Sequence, residues 1–424
     1  MPESATSWRR HLETVVLPWW EQAVRPHGGV FTCYSNDGTR ISDDLYTWSQ
    51  GRWAWLAAEL AEEARAGRLS VDAELWQQRA VDSAALIADH ALLGDGTVAF
   101  RLSSDGTPLP SGPDGELATS VFADLFAALG LAGGLRALPV DDSRRSHWTG
   151  AATQLLLTAE LSSVERTALS EPYPVPEGYA DLAAPMSLVH TASELLRAVP
   201  DSAPARAVRD RAWTRLHGEN GFLREDWWWE FRPDDQTEQT LLSRHRTPGH
   251  LLELTWMLVH SAEEASARGD IGAEQLPGTR GLARLARRAV AIGEDNEQGG
   301  LFRYVDASGR RPEGPHAEAL SRYEQLVTDT WDTKLWWVHA EAMYATALLA
   351  QRTGDAHLAA VAQLISDYTL STFPDPDGAE WLQIRNRAGV PLDQVVALPV
   401  KDPFHIARSL LLLNRLTATL SQEI

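Results

Sequence analysis

The chain has almost no lysine, a single cysteine, no long apolar run and too little positive charge to balance its acids. Only two of its 38 basic side chains are lysines, Lys334 and Lys401, against 36 arginines. A formal charge of -20 over 424 residues leaves no broad basic face, which excludes nucleic acid or an anionic membrane as partner. One cysteine, Cys33, excludes an intramolecular disulfide framework and any multi-cysteine metal site. The N-terminal MPESATSWRRHLETVVLPWW lacks an apolar stretch of signal-peptide length, and no segment is long enough to span a bilayer. A cytoplasmic location is therefore expected. There is no GxxxxGK(S/T) loop, no GxGxxG after a strand, no GxSxG elbow and no HExxH pair. No cofactor and no metal are expected.

What is abundant is helical periodicity. Apolar residues recur at helical spacing in about twelve stretches: 7–24, 44–66, 72–91, 118–136, 143–160, 184–198, 203–217, 247–267, 276–291, 332–352, 355–372 and 403–420. Between them one unit recurs, an apolar strand followed by a polar, Gly-containing turn and a second short strand: GGVFTCYSNDGTRI from Gly28, DGTVAFRLSSDGTPL from Asp95, GGLFRYVDASGRRP from Gly299 and AEWLQIRNRAGVPL from Ala379. Asp-Gly and Ser-Gly at the tips are hairpin signals. Recurrence along the whole length points to a repeat architecture, and twelve helices in pairs predict an all-α (α/α)6 barrel in one domain, residues 1–424. In such a double ring alternate helices form the inner wall. The even-numbered stretches carry Arg52, Asp124, His190, His250 with Glu253, Lys334 with His339 and Glu341, and His405. Polar groups confined to one set converge on a small-molecule site.

Several segments carry chemistry. In SRHRTPGHLLELTWML, Pro248 and Gly249 precede a helix start with His250 and Glu253, three apart and so on one face. A carboxylate there can fix an imidazole tautomer. Arg246 and its neighbours could accept an anionic substrate group. In VVALPVKDPFHIARSLLLL, from Val395, an apolar extended run leads through Pro403 to His405 and Arg408, and a histidine titrating near neutrality is a natural general base. In WDTKLWWVHAEA, helical spacing sets Lys334, Trp337 and Glu341 on one face, as an ion pair flanking a stacking platform. Arg52 lies among Trp48, Trp53 and Trp55, where a guanidinium can stack and still donate in a fork. Glu225 and Asp226, beside Trp227 to Trp229, and Glu341 leave open a glycosidase with two carboxylates; a non-catalytic glycan-binding toroid is a third possibility.

GGVFTCYSNDG, WSQGRWAW, SVFADLFAALGLA, TPGHLLELTWML, NEQGGLFRYVD, KLWWVHAEAMYA and VKDPFHIARSLL occur in an order that resembles the N-acylglucosamine 2-epimerase superfamily, which includes sugar 2-epimerases and aldose–ketose isomerases. The resemblance implies an (α/α)6 barrel and metal-independent chemistry at C2 of an aldose. It gives His250 and His405 the acid/base roles, Arg52 the carbonyl end of the opened sugar, and Glu253 the support of His250. His190 matches a motif in which a glutamate usually follows three residues later; here Ser193 stands there and Glu194 one beyond. Trp48, Asp124, Arg246, Lys334, Trp337, His339, Glu341 and Arg408 are the expected substrate contacts. The implied reaction is 2-epimerisation through ring opening and a cis-enediolate, with ketose formation as the alternative outcome. The chain is expected to act as a monomer or homodimer on a small sugar.

Overall fold

Two kinds of helix alternate along the chain, distinguished by how many of their faces are buried. The computed structural model describes residues 5–237, 239–270, 278–316, 321–378, 380–393 and 401–420. The helices are α1 (Ala5–His11), continued through a π-helical turn Leu12–Val16 into α2 (Leu17–Glu21), α3 (Thr47–Arg65), α4 (Ala73–Leu86), α5 (Val121–Ala137), α6 (Arg144–Glu165), α7 (Ala183–Ala198), α8 (Ala203–His217), α9 (Leu241–Arg244), α10 (Pro248–Arg268), α11 (Thr279–Gly293), α12 (Arg322–Thr330), α13 (Trp336–Thr353), α14 (Ala356–Thr372) and α15 (Phe404–Leu420). In α6 the buried residues are Trp148, Ala152, Leu155, Leu156, Ala159 and Glu160, a single stripe. α4, α8, α11 and α14 follow the same pattern. By contrast α3, α5, α7, α10, α13 and α15 are buried on nearly every face. These six are the even-numbered stretches of the sequence.

The chain divides into two compact units. A middle unit takes Pro172–Val189 and Asp210–Ala397, and a terminal unit takes Glu3–Glu171, His190–Arg209 and Leu398–Ile424. The division falls inside α7 and α8. In the terminal unit α3 packs against α4, α5 and α15. The α3–α5 crossing is a backbone contact: a methyl group at Gly51 would overlap the Phe126 carbonyl, and one at Gly133 would lie 2.7 Å from the Trp55 Cα. Glycine inside a helix costs about 1 kcal/mol relative to alanine, and here it allows the close approach. In the middle unit α10 packs against α11 and α13, and α13 against α14.

The hairpin units are simpler in sequence than in space. The units from Asp95, Gly299 and Ala379 each contribute a two-residue strand that pairs with a strand immediately preceding an all-buried helix, whereas the unit from Gly28 forms the isolated bridges Val24–Val30 and Tyr34–Arg40. β1 (Leu45–Tyr46), before α3, pairs with β2 (Arg101–Leu102), which continues to β3 (Pro108–Leu109). β4 (Tyr179–Asp181), before α7, pairs with β5 (Phe231–Pro233). β6 (His245–Arg246), before α10, pairs with β7 (Val305–Asp306), and β8 (Lys334–Leu335), before α13, pairs with β9 (Ile384–Arg385). The small sheets thus fix the N-terminal ends of four buried helices. The predicted helix from 332 therefore begins at Trp336, and Lys334 belongs to a strand. Parts of three expectations, the apolar run 395–400, the helix start at 276 and Ala379 of the last hairpin, lie outside the described residues.

At the other end of the terminal-unit helices sits an ionic network. Glu59 of α3 is fully buried and accepts from Arg136 of α5 at 2.6 Å, Arg197 of α7 at 2.7 Å and Arg415 of α15 at 2.6 Å. Glu63 accepts from Arg68 and Arg415, and Glu194 from Arg197 and the Trp55 indole. Burial alone would raise the Glu59 carboxyl, but Arg197, Arg136 and Arg415 outweigh it and hold it well below the ordinary range. Removing one partner of a buried ion group leaves the others uncompensated, so Glu59→Ala is expected to cost about 3–5 kcal/mol at pH 7. A group with depressed folded pKa contributes fully above its unfolded value, roughly 4.3, and loses that contribution as pH falls. The gap between wild type and variant in urea unfolding should therefore narrow on acidification.

Candidate active site

In the middle unit the centre of interest is His250, in the first turn of α10. Thr247-Pro248-Gly249 leads into it, with proline at the start of the helix, where its missing N–H is no loss. Gly249 is required by packing, because a Cβ there would lie 2.7 Å from the Trp337 ring. Trp337 consequently lies against His250, with ring centroids 5.1 Å apart and planes at 32°. The Nδ1 of His250 is 2.6 Å from Oε1 of Glu230, a carboxylate that is 1% exposed and sits just before β5. An ionised carboxylate only accepts, so Nδ1 carries a proton and Nε2 is left without a protein partner among the described residues. Burial would depress the imidazole, but the charge and hydrogen bond of Glu230, with the charges of Glu253 and Asp181, raise it above its ordinary value. Burial and then Glu230 push Asp181 up to about 6. Beside them, Arg246 lies over Trp227 and Trp229 at 5.6 and 5.4 Å, and its guanidinium donates to the Ser243 and His245 carbonyls.

In the terminal unit Arg52, in the second turn of α3, stacks over Phe126 at 4.0 Å, Trp48 at 4.7 Å and Phe404 at 5.1 Å. Its Nη1 is 4.0 Å from Oδ1 of Asp402. Asp402 accepts from the N–H groups of Phe404 and His405, which caps α15, and its Oδ2 is 3.6 Å from Nε2 of His405. Arg408 donates to Nδ1 of His405 at 3.2 Å. A guanidinium cannot accept, so the neutral ring of His405 holds its proton on Nε2. His190 lies edge-on to Trp55, 6.0 Å between centroids; its acidic neighbour is Glu194, one turn on, already engaged by Trp55 and Arg197. Asp124, in the first turn of α5, accepts from the Val98 N–H at 2.8 Å, and burial pushes its carboxyl up to about 7.

The predicted platform on α13 is arranged differently. Lys334 is fully buried and donates to Asp295 at 3.0 Å, an acid after α11, and not to one of its own helix. Arg387 donates to the same carboxylate. Glu341 accepts from the Trp256 indole of α10 at 2.7 Å. His339 has both ring nitrogens engaged: Nδ1 with the Leu335 carbonyl at 2.8 Å and Nε2 with the Leu301 N–H at 2.9 Å. Burial takes it down to about 3, so it is a neutral core residue. Lys401 places its ammonium over Trp19 at 5.2 Å, and its N–H donates to the Thr32 carbonyl. Glu225 and Asp226 are exposed, and Glu225 lies 3.7 Å from Arg284.

A family model described as N-acylglucosamine 2-epimerase (GlcNAc 2-epimerase) matches residues 109–409. The chain belongs to this family. It is a carbohydrate epimerase or isomerase. The N-acylglucosamine 2-epimerase of Bos taurus is 27% identical over 427 residues, 96% of this chain and 90% of that protein. A cellobiose 2-epimerase structure from Bacillus thermoamylovorans covers 97% of this chain and 98% of its own at TM-score 0.71 and 16% identity. A D-mannose isomerase structure covers 98% and 100% at TM-score 0.70 and 15% identity. The structural likenesses give the fold, that of the (α/α)6 epimerases. No helix among the described residues is long and apolar enough to cross a membrane.

Three acids escaped the reading of this epimerase-family sequence. Asp402 was legible as an Asp-Pro helix start; Glu230 and Asp295 pair across long sequence separations that spacing does not reveal. For His339, a structural role makes a direct prediction. His339→Leu removes one donor and one acceptor from buried backbone groups and should cost about 1–3 kcal/mol in urea unfolding, with KM for the sugar unchanged in the folded fraction.

Proposed function

We propose that the chain is a sugar 2-epimerase that inverts C2 of an aldose, of mannose/glucose type, an N-acylated hexosamine or a disaccharide reducing end, without a metal. The observation that carries this is His250: a ring with its Nδ1 proton held by a buried carboxylate, its Nε2 unpartnered, and Trp337 against one face. A C2 proton becomes acidic only beside a carbonyl, so the pyranose opens first. Nε2 of neutral His250 then removes the C2 proton, and the charge of the cis-enediolate is met by the Arg52 guanidinium. Stacking on Phe126, Trp48 and Phe404 orients that guanidinium. Return of a proton to the opposite face falls to His405, whose Nε2 faces the Asp402 carboxylate that an imidazolium requires. That the matched family model and the bovine relative bear the name N-acylglucosamine 2-epimerase supports inversion as the outcome.

One contact favours a second reading, aldose–ketose isomerisation. With Nδ1 of His405 accepting from Arg408, a neutral His405 offers Nε2–H to an oxygen more readily than it exchanges protons with carbon. His250 would then be the single base at carbon and would return the proton to C1. A glycosidase is disfavoured because Glu225 and Asp226 stand on the surface and Glu341 is engaged by the Trp256 indole. Incubation with mannose, glucose, N-acetylmannosamine and cellobiose in D2O separates the outcomes. Deuterium at C2 with inverted configuration is expected; a ketose carrying deuterium at C1 would establish isomerisation, and absence of exchange from the whole panel would overturn both.

A further inference from the structure

We infer that Glu230, backed by Asp181, is the positioning carboxylate of His250, holding the ring proton on Nδ1 and presenting Nε2 to the sugar. This rests on the epimerase reading and gives Glu230 the role that the family resemblance assigns to Glu253.

Three observations converge. The Glu230–His250 contact at 2.6 Å is in the range of a charge-assisted hydrogen bond, and it alone engages Nδ1. The carboxylate cannot swing away: Glu230 is buried, its carbonyl accepts from the Leu182 N–H at 2.9 Å, and the next residue, Phe231, is in register with Asp181 in the β4–β5 pair. Glu253 lies one turn further along α10, and its influence on the ring is through charge. Among the described residues the charged and titratable groups that act on His250 are Asp181 from β4, Glu230 just before β5, Glu253 from its own helix and His245 from β6. Burial takes His245 down to about 4, so it is neutral. Burial would raise Glu230, but His250 opposite holds it below the ordinary range. Asp181, raised to about 6, takes up a proton first as pH falls and leaves the charge on Glu230 in place.

The sign of the consequence is fixed. A carboxylate that raises an imidazole keeps it protonated to higher pH, so its removal lowers the ring's midpoint and moves the acidic limb of kcat/KM to lower pH. In Glu230→Gln the His250 midpoint, followed by nitrogen-detected NMR of the ring, is expected to fall by about one unit or more, with the acidic limb moving alongside. kcat should fall by roughly 10²-fold or more as the tautomer is no longer enforced. Glu230→Asp should recover part of the loss, and Glu253→Gln should move midpoint and limb less than Glu230→Gln. An unchanged tautomer, midpoint and pH limb in Glu230→Gln would overturn the assignment, as would a larger shift in Glu253→Gln. The ring titration needs no turnover, so it judges Glu230 even where wild-type enzyme shows no C2 exchange, the result that would instead sink the epimerase reading.

Discussion

A helix buried on every face must find a partner for each polar side chain it carries, and this constraint orders the molecule. Desolvating an unpartnered polar group costs about 1–3 kcal/mol, and more for a charge. On α3, α5, α7, α10, α13 and α15 the polar residues are either satisfied by protein or keep an atom without a protein partner among the described residues, as the Trp53 indole does. Glu59, Glu194, Glu341 and His339 are of the first kind, with partners at 2.6 to 2.9 Å. His250 is of the second, with one ring nitrogen engaged and the other not.

His339 excepted, the two kinds also differ in place. In the terminal unit the arginine–glutamate network joins the later turns of α3, α5, α7 and α15, whereas Arg52, Asp124 and His405 stand in first or second turns. His250 and Trp337 likewise stand in first turns. A helix N-terminus favours anions and disfavours an imidazolium by about 0.3–1 kcal/mol, and burial acts in the same direction. The ring of His250 is nonetheless raised, because a hydrogen bond to a charged group is worth about 1.5–3 kcal/mol and Glu253 and Asp181 add to it. Removal of that one carboxylate would reverse the balance.

Much of this was legible in the sequence. Helical periodicity gave the long helices to within a few residues, and the even-numbered positions of Arg52, Asp124, His190, His250, Glu341 and His405 singled out the buried set. α12 escaped because it is short and polar, although the Ser321–Glu324 capping box that starts it is a readable signal. Pairings over long separations were not legible. Lys334 finds Asp295, 39 residues away, and His250 finds Glu230, 20 residues upstream on a different element. Spacing along one helix offered Glu341 and Glu253 in their stead, since local periodicity reports which face a residue occupies and not what the next strand brings to it. The scarcity of lysine marked Lys334 and Lys401, and the structure engages the first with Asp295 and sets the second over Trp19.

The central claim is that inversion at C2 divides between two imidazoles, each serving one face. The most direct measurement is exchange of the C2 hydrogen with D2O, starting separately from each epimer, in His250→Asn and His405→Asn. Each variant should exchange the hydrogen of one epimer with retention of configuration, a different epimer in each, and neither should invert C2. Inversion that persists in either variant, or exchange of the same epimer in both, would contradict the account.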